Sequence, residues 1–341
     1  MNKTIYLVSL LSFLSISAKA LPPVLVPTDL ESNNIGGNFP AGSMLNNFQK
    51  YEDYLVGQVN GGGAFILNND NNALSIYNFG ASQFAGFGSD RAYINNRYIE
   101  LSTGNENLLS LANPPSNINS FGISAANGNR VYGSYMGDQI NPSTGSRMPY
   151  SENFFGVVNT DNSITWTPAP SADSSGSYFF KNLFGNYAYG SYMEYDPVNN
   201  PNSSTKGLIY DITTGNKTLL DVPSSFGSRI EAMTDNLVYG TYEFVVSGGS
   251  GPGIPGRVLE TRGYVYDDDG TNFFTLALND SSSADGYDYA SFRSFSANGN
   301  EVVVTNGSGG EYFTGQVPEP SALSLLAFGL GGLAILRRRR S

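Results

Sequence analysis

Gly128-Asn129-Arg130-Val131-Tyr132-Gly133-Ser134-Tyr135 returns in altered form as Gly185-Asn186-Tyr187-Ala188-Tyr189-Gly190-Ser191-Tyr192. It returns again as Asp235-Asn236-Leu237-Val238-Tyr239-Gly240-Thr241-Tyr242. Gly299-Asn300-Glu301-Val302-Val303-Val304-Thr305-Asn306 is a weaker echo, and Tyr54-Leu55-Val56-Gly57 reads as a degenerate first copy. Each full copy opens on turn-forming residues and continues into alternating small, aromatic and β-branched residues, the pattern of a strand that follows a tight turn.

A second pattern interleaves with the first: Phe155-Gly156-Val157-Val158, Gly207-Leu208-Ile209-Tyr210 and Gly263-Tyr264-Val265-Tyr266. A polar turn and a further short strand follow, as in Asp211 to Asn216 leading to Lys217-Thr218-Leu219-Leu220. Both patterns recur at roughly 50 to 60 residues, the size of a propeller blade. Residues 51–316 therefore read as an all-β, β-propeller-like repeat domain of about five irregular units, with an irregular β-sandwich as the alternative. Gly207 to Tyr210 followed by Leu220-Asp221-Val222-Pro223 also resembles the propeller-like repeats of secreted bacterial proteins. Residues 21–50, with their Pro-rich turns and Gly36-Gly37, read as a lead-in strand and loops.

Composition supports this reading. Of 341 residues 40% are hydrophobic, enough for a core, and only 14% are charged, while Gly (40), Tyr (22) and Phe (21) are abundant. Of the 18 Lys and Arg, Lys3, Lys19 and Arg337 to Arg340 lie at the ends, which leaves 12 in the body against all 29 Asp and Glu. So acidic a body repels nucleic acid and does not adhere unaided to anionic lipid. There is no Cys and no His. Disulfide stapling, Ser-His-Asp and Cys-His nucleophilic catalysis and the usual zinc sites are thereby excluded for this chain alone.

The two ends read as addresses. Lys3, the apolar stretch from Ile5 to Ile16, and Ala18-Lys19-Ala20 make a secretory signal peptide over 1–20, cleaved after Ala20 with Ala18 and Ala20 as the small residues of the site. Its handlers are the Sec translocon and signal peptidase. The C-terminal segment 317–341 runs Val317-Pro318-Glu319-Pro320-Ser321, then an uncharged apolar stretch 322–336, then Arg337-Arg338-Arg339-Arg340. As a helix the apolar stretch reaches about 22 Å, short of a hydrocarbon core of about 30 Å. Snorkelling arginines close that gap and act as a cytoplasmic membrane stop. Pro318 and Pro320 lack amide hydrogens and hold the segment before the helix out of any strand ladder.

In order and spacing these three parts resemble the PEP-CTERM sorting signal. The resemblance implies processing by exosortase, a membrane sorting enzyme of Gram-negative bacteria that make an exopolysaccharide. It also implies an inner-membrane intermediate and then a cell-surface, outer-membrane or extracellular location. The competing reading of the tail is a plain membrane anchor that is never cut.

Remaining motifs weigh less. Gly251, Gly253 and Gly256 satisfy a dinucleotide-binding spacing, but Pro252 and Pro255 make the stretch a loop rather than a strand-to-helix turn. Asp267 and Asp269, in Asp267-Asp268-Asp269-Gly270, are the only candidate metal ligands and would suit Ca²⁺; the same residues suit a hairpin turn. No other cofactor is expected. Catalysis would fall to carboxylates such as Glu194, Glu231, Glu243 and Glu260, two of which would have to flank a cleft for glycoside hydrolysis. The expectation is a non-catalytic surface or matrix protein in contact with exopolysaccharide in a biofilm; the alternative is a secreted carbohydrate-active hydrolase using a carboxylate pair.

Overall fold

The computed structural model describes residues 24–28, 45–59, 63–68, 70–71, 73–77, 84–88, 90–195, 205–222, 225–235, 237–247, 258–267, 273–279, 287–288, 292–298, 301–306 and 312–316, and every regular element among them is a strand. The expected signal peptide with Ala18 and Ala20, the motif Val317 to Ser321, the apolar stretch 322–336, Arg337 to Arg340 and Asp269 lie outside the described residues.

Strand β1 (Val24–Thr28) precedes a first antiparallel meander of β2 (Leu45–Tyr51), β3 (Tyr54–Val59), β4 (Gly63–Asn68) and β5 (Ala73–Tyr77). The second is β6 (Phe84–Gly88), β7 (Arg91–Ile94), β8 (Arg97–Glu100) and β9 (Glu106–Leu108). After the short β10 (Ser110–Leu111) comes a third of β11 (Ile118–Asn127), β12 (Arg130–Ile140), β13 (Arg147–Val158) and β14 (Ser163–Pro168). After β15 (Ala172–Asp173), the fourth is β16 (Gly176–Phe184), β17 (Tyr187–Glu194), β18 (Thr205–Asp211) and β19 (Lys217–Leu220). The fifth is β20 (Gly227–Met233), β21 (Leu237–Ser247), β22 (Val258–Asp267) and β23 (Phe273–Asn279). After β24 (Tyr287–Asp288), the chain ends its described course on β25 (Phe292–Asn298), β26 (Glu301–Asn306) and β27 (Tyr312–Gln316).

That last group is completed from the other end of the chain. β1 pairs antiparallel with β27 through Val26↔Thr314, Pro27↔Phe313 and Thr28↔Tyr312, so the lead-in strand is the outermost strand of the sixth meander. The first strands of the six meanders form a closed ring, β2 beside β6, then β11, β16, β20 and β25, with β25 again beside β2. A ring of inner strands with three strands stacked outward from each is a propeller. The propeller-like expectation holds, with six units in place of about five. Three inner connections lack the Gly-Asn signature in sequence: Glu52-Asp53 lies between β2 and β3, Ser89-Asp90 between β6 and β7, and Asp235-Asn236 between β20 and β21.

After β2, β11 and β16 the chain turns back through two residues, and the first of them has φ +49° at Glu52, +64° at Gly128 and +55° at Gly185. Positive φ at this position matches the twist of a tight hairpin. Hydrophobic cores lie between consecutive blades. Ile66 and Val56 of the first face Phe87 and Ile99 of the second; Tyr132 and Phe155 of the third face Leu183 and Ala188 of the fourth; Tyr189 of the fourth faces Ile230 and Tyr264 of the fifth. Burying each such ring contributes about 2 kcal/mol, so interblade packing takes the place of the missing disulfides.

The repeat's glycine has its own cause. β6, β11, β16 and β20 each carry a bulge four residues before the turn, at Ala85, Ser124, Lys181 and Glu231, where the ladder register slips. A Cβ at Gly190 would collide with the backbone of Phe179 and Lys181, and one at Gly240 with the Arg229 carbonyl oxygen and the Tyr264 ring. The second strand therefore passes the bulged inner strand closely only because it has a glycine there.

Candidate functional site: a cleft on the turn face

The inner turns and the connections between the third and fourth strands of the first five blades share one face of the ring. On this face, between the second and third blades, a cleft of about 420 Å³ is lined by Gly88, Asp90, Arg91, Glu100, Gly128, Asn129, Val158, Asn159 and Thr160. Its geometry follows from the tight turns: with no longer loop to cover it, the notch between two radial blades stays open. Tyr93 donates to the Gly128 carbonyl at 3.2 Å, tying the blades beneath the cleft. The Arg91 guanidinium lies 4.4 Å over the Tyr98 ring, held in place by cation–π attraction.

The polar groups around the notch are fixed by short contacts. Asp90 accepts from the Ser102 amide at 2.8 Å and from the Ser102 hydroxyl, and Glu100 accepts from Thr103 at 2.9 Å. Asn159 donates to Ser163 and Thr165 at 2.9 and 3.0 Å. Asn129 and Thr160 are exposed at the rim. Two carboxylates, a guanidinium, two carboxamides and a hydroxyl offer both donors and acceptors, the combination that takes a polyhydroxylated ligand.

A smaller space of about 170 Å³ lies on the opposite face between the fourth and fifth blades, with Ser191, Thr205, Ser228, Arg229, Thr241 and Glu243 in its wall. Beside it, two inner-strand bulges meet. The Glu231 side chain is only 4% exposed; Arg229 Nε lies 2.8 Å from its Oε1 and Lys181 Nζ 3.5 Å from its Oε2. At that length the lysine forms an ion pair without a hydrogen bond, and Oε2 is left with no hydrogen-bond partner.

The four carboxylates considered for acid–base work are mostly held by cations. Glu194 lies 3.1 Å from Lys206, which also reaches Asp221 at 3.6 Å, and Glu260 lies 2.7 Å from Arg262. Glu231 is the buried member of the triad above, and Glu243 lines the smaller space. Asp267 ends β22 as Asp211 ends β18, and Asp211 accepts the backbone amide two residues on, from Thr213 at 2.8 Å. Among the described residues no three His, Cys, Asp or Glu side chains gather as a metal site. Also among the described residues, no helix is long and apolar enough to cross a membrane.

One polar cluster was not legible in the sequence. Asp173 accepts from Tyr192 and Tyr178 hydroxyls, both at 2.6 Å, and from Lys217 Nζ at 2.8 Å; Lys217 in turn lies 3.9 Å from the Tyr192 ring centre. The Lys217 contact, and after it the two tyrosines, hold the Asp173 carboxyl well below the usual range. Burial, and then the Asp173 contact, push Tyr178 up to about 12. The second tyrosine of the repeat is visible in the sequence, but its acidic partner sits in the two-residue β15, which has no periodicity to reveal it.

Residues 316–340 match the PEP-CTERM protein-sorting motif, so the tail carries the signal of an exported protein recognised by exosortase. Fold and tail together define a propeller with that signal attached directly to its last strand. No curated protein matches the chain. Among solved structures it is similar to the oligogalacturonate lyase of Vibrio parahaemolyticus, with 13% identity over 83% of this chain and 93% of that one and a TM-score of 0.44. It is also similar to the β-propeller domain of Cps50 (Swd1) from Myceliophteria thermophila, with 8% identity over 82% and 99% and a TM-score of 0.39. Neither bears on the site.

Proposed function

We propose that this chain is a non-catalytic propeller delivered to the cell surface or extracellular matrix, where the cleft between its second and third blades binds the hydroxyls of an exopolysaccharide. The single observation that carries the delivery is the sorting motif over residues 316–340. In this reading the segment 1–20 directs export through the Sec translocon and is removed by signal peptidase. The apolar stretch 322–336 then holds the precursor in the inner membrane with Arg337 to Arg340 on the cytoplasmic side, and exosortase cuts near Pro318 to Pro320. Asp90, Arg91, Glu100, Asn129 and Asn159 supply the ligand contacts, and ligand binding needs none of the residue types the chain lacks.

Mass spectrometry of the mature protein tests delivery. The expected product ends near residue 318; an intact tail through Ser341 on the bulk of the protein in a wild-type host overturns it. Incubation of the purified propeller with the host's exopolysaccharide tests binding. Retention on the polysaccharide without shortening it is expected, whereas hydrolysis abolished by substitution of a single carboxylate would replace the binding reading with the hydrolase one.

A further inference from the structure

Both ends of the propeller leave the ring on one face. β27 runs antiparallel to β26 with Gln316 opposite Glu301, and Glu301 in turn pairs with Asn298 across the inner turn of the sixth blade. Gln316 is thus level with the turn face, and β27 points out of it. β1 runs the other way along β27, and its register of Val26↔Thr314 brings its start at Val24 to the same level. The chain therefore enters the ring from the face by which it leaves, close to its own exit.

Only residues 317–321 separate β27 from the apolar stretch, and fully extended they span at most about 18 Å. The opposite face extends far beyond this. The β12–β13 hairpin rises from the turn face to its tip at residues 141–146, and the 12 residues of β13 alone measure about 40 Å. The turn face also repels an anionic surface, since its turns expose Glu52, Asp53, Asp70, Asp161 and Asp235. A tether, not adhesion, sets its distance from the lipid.

We infer that the membrane-held precursor stands with its turn face toward the bilayer and the β12–β13 tip away from it, so that the cleft between the second and third blades faces lipid until the tail is cut. This inference rests on the membrane-tail reading of residues 322–336. It makes exosortase an unmasking step as well as a releasing one: cleavage removes the tether and lets the notch turn outward.

The absence of native Cys allows a clean test, because a single introduced cysteine is the only thiol. Full-length precursor carrying Asp53→Cys, Thr160→Cys or Ser143→Cys is labelled with a donor dye and reconstituted in vesicles with an acceptor on the lipid headgroups. All three positions are exposed, and the first two lie on the turn face. Transfer from positions 53 and 160 is expected to exceed that from 143 several-fold. Floating precursor with transfer from 160 equal to or below that from 143 overturns the orientation and leaves the tail reading intact. Precursor that does not float with the vesicles overturns the tail reading and the inference with it.

Discussion

Gly240 lies against the carbonyl oxygen of Arg229 so closely that no Cβ fits between the two strands. The contact exists because Glu231 bulges out of the inner strand next to it. Gly240→Ala must therefore displace either the bulge or the Tyr264 ring, and overpacking of this kind costs about 1–3 kcal/mol. Urea denaturation is expected to show that loss. Gly122→Ala, with nothing within 4 Å of the added carbon, is expected to stay within about 0.5 kcal/mol of wild type.

Glu231 is buried between two cations that are themselves about half exposed. Glu231→Gln keeps the shape and removes the charge, leaving Arg229 and Lys181 to rehydrate at the surface. The expected cost is about 1–2 kcal/mol, well below that of a fully buried pair, because both cations recover water. Equilibrium unfolding checks it, and a stability equal to wild type would mean that the triad contributes specificity alone.

Acid should act on the Asp173 cluster late. Its carboxyl titrates below the unfolded value, so its stabilising effect is full above the ordinary carboxylate range and is lost progressively as pH falls from there through the lowered native value. Burial opposes the charge on Lys217, yet the Asp173 contact outweighs it and raises the lysine, whose effect is present below its unfolded value and lost as pH rises through the native one. Asp173→Asn is therefore expected to lower the melting temperature by a near-constant amount from pH 5 to pH 9. Below about pH 4 the gap to wild type should narrow, as the unfolded carboxylate takes up its proton.

In the cleft, Asn129→Ala removes an exposed carboxamide and no buried contact. Retention on exopolysaccharide is expected to weaken about tenfold, equivalent to roughly 1.4 kcal/mol, with an unchanged melting temperature. Pro318→Ala together with Pro320→Ala touches no described strand. That variant is expected to accumulate as uncut precursor in the membrane fraction, read as a mass that includes Arg337 to Arg340.

Much of the fold was legible because a propeller repeats its local problem. Gly128-Asn129 and Gly185-Asn186 announced the inner turns, and Gly133, Gly190 and Gly240 marked the positions beside the bulges. The second unit escaped notice because Ser89-Asp90 can turn the chain without a glycine signature, and its strands β7 and β8 have only four residues each. The pairing of β1 with β27 is a contact between distant parts of the chain, which no local pattern encodes. The cleft was hidden for a similar reason: Arg91, Glu100 and Asn159 come from separate turns and meet only when two blades stand side by side.

The shared sixth blade ties closure of the ring to the last described strand of the chain. A polypeptide whose synthesis stops before Tyr312 leaves β1 without its antiparallel neighbour, and the same accident deprives it of the proline handle and the basic stop. Under the proposed sorting, closure of the sixth blade and possession of the tail depend on the same last stretch of chain.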